Sequence, residues 1–260
     1  MDKPYSYGYD AQLYAAVHRG TVGDLQFYAD RASGRRSVLE LGCGYGRLIP
    51  TFLAADVRYV GLDIHQGLLK LCRRLLIDAP KGPLDARFPP ALVRGDMAAF
   101  AFAQPFDLIV LPYSGLFCLP TRQAVLSCFR AVRAHLTPHG RFVIDVYNAD
   151  AFHEDARPED QADDHEDWVD CVSTGGRDFN VYERSRWNWD AQVLQTSYRY
   201  EPLAGGENHW GHIDHHYLLS RELQSLMARE GLKVCEQRGD FRGGAWSRDS
   251  DHLVIEARPV

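Results

Sequence analysis

The chain has 260 residues, 45% of them hydrophobic and 25% charged, a balance that fits one large globular core and excludes a disordered chain, a collagen and a disulfide miniprotein. With 29 Lys and Arg against 35 Asp and Glu the formal net charge is -6, so a uniformly basic surface for gripping a nucleic-acid backbone is absent and no nucleic-acid partner is expected.

Met1 to Gly20 mixes its apolar residues with Asp, Lys, Gln, His and Arg, which predicts neither an export signal nor a membrane anchor. Nothing elsewhere approaches the ~18 apolar residues of a spanning helix. From Ser37 to Tyr147 short apolar runs alternate with longer helical stretches, the pattern of a parallel sheet with crossover helices. Ser37 to Leu41 reads as the first strand, followed by a glycine turn and a helix from Arg47 to Ala55. Tyr59 to Leu62 is a second strand, and His65 to Ile77 a helix with a broad leucine face. Proline and glycine mark Pro80 to Pro90 as a loop. Strands recur at Ala91 to Arg94, Phe106 to Leu111 and Arg141 to Tyr147, and between the last two lies a helix from Thr121 to Leu136, capped by Thr121 and stopped at Pro138.

After Tyr147 the rhythm changes. Residues 150 to 170 hold ten acids and one base, which predicts a solvated loop and not a cation site. Asp178 to Tyr200 and His209 to Leu218 read as antiparallel strands, with turns near Asn188 to Asp190 and at Gly205-Gly206. Ser220 is the expected N-cap of a helix that Gly231 ends. Leu232 to Gln237 and His252 to Arg258 are joined by too short a link for a full crossover, so an antiparallel pair is expected. The fold class is therefore α/β: a Rossmann-like, doubly wound, mostly parallel sheet with an antiparallel last strand, plus an inserted antiparallel β roof. Four segments follow: 1–36, an N-terminal lid segment and helix; 37–147, the ligand-binding core; 148–218, the acidic loop and β roof; and 219–260, the closing helix and strands. The six cysteines form no C-x-x-C pair, which fits reduced thiols in a cytoplasmic protein and no zinc ribbon.

Chemistry concentrates at the carboxyl ends of the strands. Glu40-Leu41-Gly42-Cys43-Gly44-Tyr45-Gly46 joins the first strand to the first helix, where glycines let backbone approach a ligand. A dinucleotide loop would carry G-x-G-x-x-G; here Gly46 falls one position early. Asp63 ends the second strand, where a carboxylate can accept from ribose hydroxyls, and Asp96-Met97 follows the third, where another can accept from an exocyclic amine. Cys43 reads as a small packing residue, since no base stands beside it in sequence.

Together these motifs resemble the class I S-adenosylmethionine-dependent methyltransferases, over about Tyr5 to Tyr147, with a tail from Tyr217 onward that resembles the small-molecule, sugar and metabolite N-methyltransferase subgroup. The resemblance implies S-adenosyl-L-methionine as cofactor and S-adenosyl-L-homocysteine as product. It implies cofactor contacts at Tyr14, Glu40, Gly42, Cys43, Gly44, Gly46, Asp63, Ile64, Asp96, Met97, Pro112 and Tyr113. It also implies that the segment Tyr9 to Tyr14 closes over the cofactor, with Tyr14 as lid or cofactor contact and a candidate catalytic residue; the alternative is that Tyr5, Tyr7, Tyr9 and Tyr14 anchor a terminal segment on the surface.

Alternation in His209 to His216 puts Trp210, His212, Asp214 and His216 on one strand face and His209, Ile213 and His215 on the other. His212 and His216 are the candidate bases or substrate contacts. No Cys partner or H-E-x-x-H helix accompanies them, so no metal is expected. Ser114, Tyr147 and Asn148, beyond the fourth and fifth strands, together with Trp187 and Arg248, are candidate substrate contacts. The expected function is methyl transfer to a small-molecule acceptor, nitrogen before oxygen and carbon third, by a monomer or homodimer. The alternatives are an NAD-dependent oxidoreductase, which the displaced third glycine disfavours, and a non-catalytic S-adenosylmethionine-binding protein.

Overall fold

The computed structural model describes residues 8–78, 88–156 and 165–260. Tyr5, Tyr7, most of the Pro80 to Pro90 connection and the middle of the acidic run lie outside these residues. Seven strands build the main sheet: β1 (Ser37–Leu41), β2 (Arg58–Asp63), β3 (Ala91–Arg94), β4 (Phe106–Leu111), β5 (Leu136–Tyr147), β10 (Leu232–Arg238) and β11 (His252–Pro259). Their order is β10-β11-β5-β4-β1-β2-β3. Strands β1 to β5 run parallel, and β11 runs antiparallel to both β5 and β10.

β1 is buried at every position and β4 at all but Asp107. Central strands covered on both faces must be apolar runs rather than alternations, and SVLEL and FDLIVL are such runs. Leu39, Leu41, Ile109, Leu111, Phe142 and Ile144 form one core with helix α5 (Arg122–His135), while Val38, Tyr59, Leu108 and Val143 form another with α2 (Asp24–Ala32) and α3 (Ile49–Ala54). Each such side chain contributes about 1.5–3 kcal/mol on burial. The chain leaves β1 toward β2 and β3 on one side and returns through β4 to β5 on the other. The switch point therefore lies between the carboxyl ends of β1 and β4, where such sheets open a crevice.

Several boundaries differ from expectation. Helix α3 begins at Ile49, not Arg47, because Gly46 sits at φ +87° and the Arg47 guanidinium turns back onto buried Asp24 at 2.7 Å. Pro50 then occupies the first turn, where its missing N–H costs nothing. Helix α5 ends at His135 and β5 starts at once, at Leu136. Ser220 does not cap α7 (Ser220–Arg229): Glu222 accepts from Leu219 N at 3.0 Å, while Ser220 donates from N and Oγ to Asp150 at 2.8 and 3.0 Å.

The acidic run is not simply a solvated loop. It contains α6 (Ala149–Asp155) and enters β6 (Asp167–Thr174), and several of its described acids are bound: Glu166 to Arg199 at 2.7 Å, Asp170 to Arg19, and Glu154 to Arg248 at 2.8 Å. β6, β7 (Arg177–Asn188), β8 (Val193–Pro202) and β9 (His209–His216) form a second, wholly antiparallel sheet in that order. Its inner face, with Val172, Phe179, Val181, Tyr198 and Tyr200, packs around Leu13 of α1 (Ala11–Val17). Asp10 caps α1, accepting from Gln12 N and Leu13 N at 2.8 and 3.1 Å. α1 and the second sheet thereby form a wall opposite the switch point. Among the described residues no helix is long and apolar enough to cross a membrane.

Candidate active site

A cavity of about 630 Å³ opens at the switch point, lined by the carboxyl ends of β1 to β5, by residues 9–22 and by β8 and β9. Its floor is the glycine loop. Gly42 and Gly44 take φ of +70° and +56°, and their amides are spoken for: Gly42 N donates to Leu62 O at 2.8 Å and Gly44 N to Asp63 Oδ2 at 2.7 Å. A Cβ on Gly42 would meet nothing within 4 Å, so that face of the loop is open to a ligand. Gly46 differs. A Cβ there would come within 2.5 Å of Cys72 Sγ and 2.9 Å of Ile49 Cδ1, so Gly46 admits close helix packing and does not line the cavity. Cys43 borders the cavity but is buried, and its thiol is pushed up by that burial.

Asp63 and Asp96 stand at the ends of neighbouring strands, as the spacing predicts. Asp63 accepts from Gly44 N and from His65 N, both at 2.7 Å, and Asp96 accepts from Ala98 N at 2.7 Å. Burial raises Asp63 above the usual carboxylate range against the pull of those amides. Glu40, under the loop, accepts from Tyr59 Oη at 2.6 Å and is pushed by burial up to about 8, although Tyr59 and Arg47 both pull it down.

Folding therefore binds a proton at Glu40. Its contribution to stability is full below the unfolded value near 4.5 and is lost as pH rises through about 8. Glu40→Gln, which keeps an acceptor for Tyr59, is expected to flatten that fall and to gain roughly 2–4 kcal/mol on the wild type at the alkaline end. Urea melts of both proteins across that range measure it.

After β4 the chain makes a tight turn in which Tyr113 and Ser114, neither of them glycine, both adopt left-handed φ, +57° and +56°. Such residues cost about 1–2 kcal/mol each, so something must hold them. Asp145, on β5, accepts from Tyr113 N at 2.9 Å and from Tyr28 Oη, and its backbone oxygen accepts from Ser114 N at 3.0 Å. Ser114 Oγ in turn accepts from Tyr147 N at 3.1 Å. Burial pushes Asp145 up to about 6.

Across the cavity the N-terminal segment contributes a column of rings. His65 stacks on Tyr9 at 4.8 Å, Tyr9 on Tyr14 at 4.5 Å, and Tyr14 packs on His18 at 4.1 Å. His18 meets Tyr198 of the roof edge-on at 5.3 Å. From the roof, Thr196, Tyr198, Ile213 and His215 face inward. His215 stacks on Tyr147 at 5.7 Å. Burial pushes His18 and His215 both down to about 4, and His215 is lowered further by His18.

The structure thus gathers thirteen of the expected residues on one cavity: Tyr14, Glu40, Gly42, Cys43, Gly44, Asp63, Ile64, Asp96, Met97, Pro112, Tyr113, Ser114 and Tyr147. Others it does not bring there. His212 and His216 lie on the opposite face of β9, with His212 N donating to Gly8 O at 3.3 Å. The two-face pattern is as expected, but the inner face is the one bearing Ile213 and His215; Gly211 on that face lets Tyr9 approach closely. Asn148 is buried and donates from Nδ2 to the carbonyls of Arg248 and Ser250 at 2.7 and 2.8 Å, tying down the connection before β11. Trp187 donates to Ala156 O at 2.9 Å, and exposed Arg248 pairs with Glu154. Sequence reasoning missed His18, Tyr198 and His215; the lone apolar Ile213 was the available signal for His215.

Among the described residues no group of three or more His, Cys, Asp or Glu is arranged to hold a metal. Residues 38–140 match the model of a methyltransferase domain. No curated protein matches the chain in sequence. Among solved structures it is similar to the CcbJ methyltransferase from Streptomyces caelestis, at 22% identity and TM-score 0.79 over 99% of each chain. It is also similar to CalS10, an S-adenosylmethionine-bound amino pentose methyltransferase from Micromonospora echinaspora, at 22% identity and TM-score 0.69 over 96% of this chain and 97% of that one. The sugar N-methyltransferase KedS8 from Streptoalloteichus sp ATCC 53650 is similar at 17% identity and TM-score 0.71, over 100% and 96%. The fold is that of the class I methyltransferases.

Proposed function

We propose, from the match of residues 38–140 to the model of a methyltransferase domain, that the protein transfers the methyl group of S-adenosylmethionine to an amino nitrogen of a small polar acceptor. The residues fit that cofactor. The open face of Gly42 gives backbone access, Asp63 and Asp96 present carboxylates at adjacent strand ends, and the cavity of about 630 Å³ lies within the roughly 300–1,000 Å³ of small-molecule sites. Bound there, the cofactor supplies a sulfonium methyl that an acceptor lone pair displaces in line, leaving S-adenosylhomocysteine.

The protein's part is positioning and dryness. Asp63 orients a ribose, Asp96 an adenine, and the Tyr9–Tyr14–His18 rings wall the site from water. What supports nitrogen over oxygen is the state of His18 and His215, the two of the four cavity histidines that lie between the N-terminal segment and the roof. At about 4, His18 and His215 are too weakly basic to deprotonate a hydroxyl at neutral pH, whereas an amine needs only to arrive without its ammonium proton. The amino pentose and sugar N-methyltransferases among the similar structures support the same acceptor class.

The test is thermal-shift binding of S-adenosylmethionine, S-adenosylhomocysteine and NAD, followed by mass analysis of amino sugars and their hydroxyl counterparts incubated with donor. The two adenosyl compounds should stabilise the fold by about 2.7 kcal/mol at a hundredfold excess over Kd, and only amino acceptors should gain a methyl. Stabilisation by NAD alone refutes the reading, and methylated hydroxyl compounds refute its choice of atom.

A further inference from the structure

The cavity is lined by four carboxyl groups, Glu40, Asp63, Asp96 and Asp145, and by the guanidinium of Arg47. Arg47 is committed elsewhere, to buried Asp24 at 2.7 Å. The cavity histidines add no cation, because burial lowers His18, His65, His215 and His252 alike and leaves their imidazoles neutral at pH 7. Acids without free cations to balance them suit a ligand that brings positive charge.

Among these acids Glu40 stands apart. Asp63 takes Gly44 N and His65 N, Asp96 takes Ala98 N, and Asp145 takes Tyr28 Oη and Tyr113 N. Glu40 has one hydrogen bond among the described residues, to Oε2 from Tyr59 Oη at 2.6 Å. Its Oε1 accepts none there, yet that atom is not sealed within protein, so it meets the cavity that Glu40 lines. The side chain is otherwise buried, at 2% exposure. Facing it are Tyr59 and Asp63 of β2, Cys43 of the loop, Cys72 of α4 (Gln66–Asp78), Tyr28 of α2, and Arg47. Burial among such neighbours, with the nearest cation turned toward Asp24, keeps a carboxyl protonated at neutral pH.

Resting on the methyl-transfer reading above, we propose that Glu40 tells the donor from its product by charge: it releases its proton to water when S-adenosylmethionine binds and keeps it when S-adenosylhomocysteine binds. The donor's sulfonium gives it a net charge of one, whereas the product, a thioether, is neutral overall. Tyr59 keeps its bond to Oε2 in both states, so the change is confined to Oε1. After methyl transfer the carboxylate loses the sulfonium and takes a proton back from water. Each bound donor displaces a proton and each bound product does not, so donor affinity rises with pH up to about 8 while product affinity stays level.

The experiment titrates the full chain at pH 7 with each compound by calorimetry, in phosphate and in Tris. The two buffers differ in heat of ionisation, and the difference counts the protons released. With Glu40 at about 8, roughly 0.9 of it is protonated at pH 7, so the donor should release more than about half a proton and the product less than half the donor's count. Asp145, pushed up to about 6, is mostly ionised there and does not supply that number. Glu40→Gln, which keeps an acceptor for Tyr59, should abolish the release. Between pH 6 and pH 7 the wild type should bind the donor severalfold more tightly, and the product within about twofold. A donor release of half a proton or less, equal release by the two compounds, or release that survives in Glu40→Gln overturns the proposal. Should the variant not fold, the two wild-type counts decide. Failure of the wild type to bind either compound instead defeats the methyl-transfer reading on which it rests.

Discussion

Asp63→Ala is expected to weaken S-adenosylhomocysteine binding by at least about a hundredfold. Each oxygen of this carboxylate already takes one backbone amide, Gly44 N or His65 N, at 2.7 Å. Those bonds fix the carboxylate and leave further lone pairs for ribose hydroxyls. Two charge-assisted hydrogen bonds are worth roughly 1.5–3 kcal/mol each, and losing both removes two or more decades of affinity. The substitution also frees Gly44 N, so the floor of the site loosens along with the contact. Asp63→Asn, which retains one acceptor, should fall between wild type and alanine. Titration calorimetry gives the affinities, and near-UV circular dichroism shows whether the fold survives. An alanine variant binding within about fivefold of wild type would remove Asp63 from the cofactor site.

Asp145→Ala is expected to be the most damaging single change to stability, by roughly 3–5 kcal/mol. The side chain is buried, and its two oxygens take Tyr28 Oη and Tyr113 N. Deleting it leaves both donors buried without a partner. It also removes the side-chain bond that holds left-handed Tyr113, whereas Ser114 N keeps its bond to the backbone oxygen of residue 145. Asp145→Asn keeps an acceptor for one donor and should cost about half as much. Urea unfolding with unchanged m-values would show the loss directly. A change below about 1 kcal/mol would mean that the turn after β4 is held by something else.

The centre of the main sheet was legible because strands such as β1 and β4 are buried on both faces. SVLEL and FDLIVL admit few other readings between a glycine turn and a helix, and the acids at the ends of β2 and β3 follow from the strand boundaries. The glycine-loop side of the cavity was readable for the same reason, since it is local: loop, strand end, next strand end. The roof side is not local. His18 reaches the cavity through a stack begun by His65, 47 positions along the chain in this numbering, and no periodicity records that. On β9, period-two alternation separates the histidines into two sets but does not say which set faces in. β6 was hidden because its acids read as solvent-seeking, whereas Asp170 is bound by Arg19, remote in sequence.

Most of the cavity lining comes from residues 40–97 around the glycine loop, residues 9–22 with the rings, and residues 196–215 of the roof, joined by the turn after β4, the end of β5 and His252. The ring segment, the turn after β4 and the end of β5 touch both sides. Under the proposed methyl transfer, donor affinity and acceptor choice are thus written in separate passages of the sequence. Substitutions in the glycine loop and in β8 or β9 share few partners, so their effects on the two properties should combine additively. A roof exchanged for another of the same register would redirect the chemistry to a new molecule while leaving the chemistry itself unaltered.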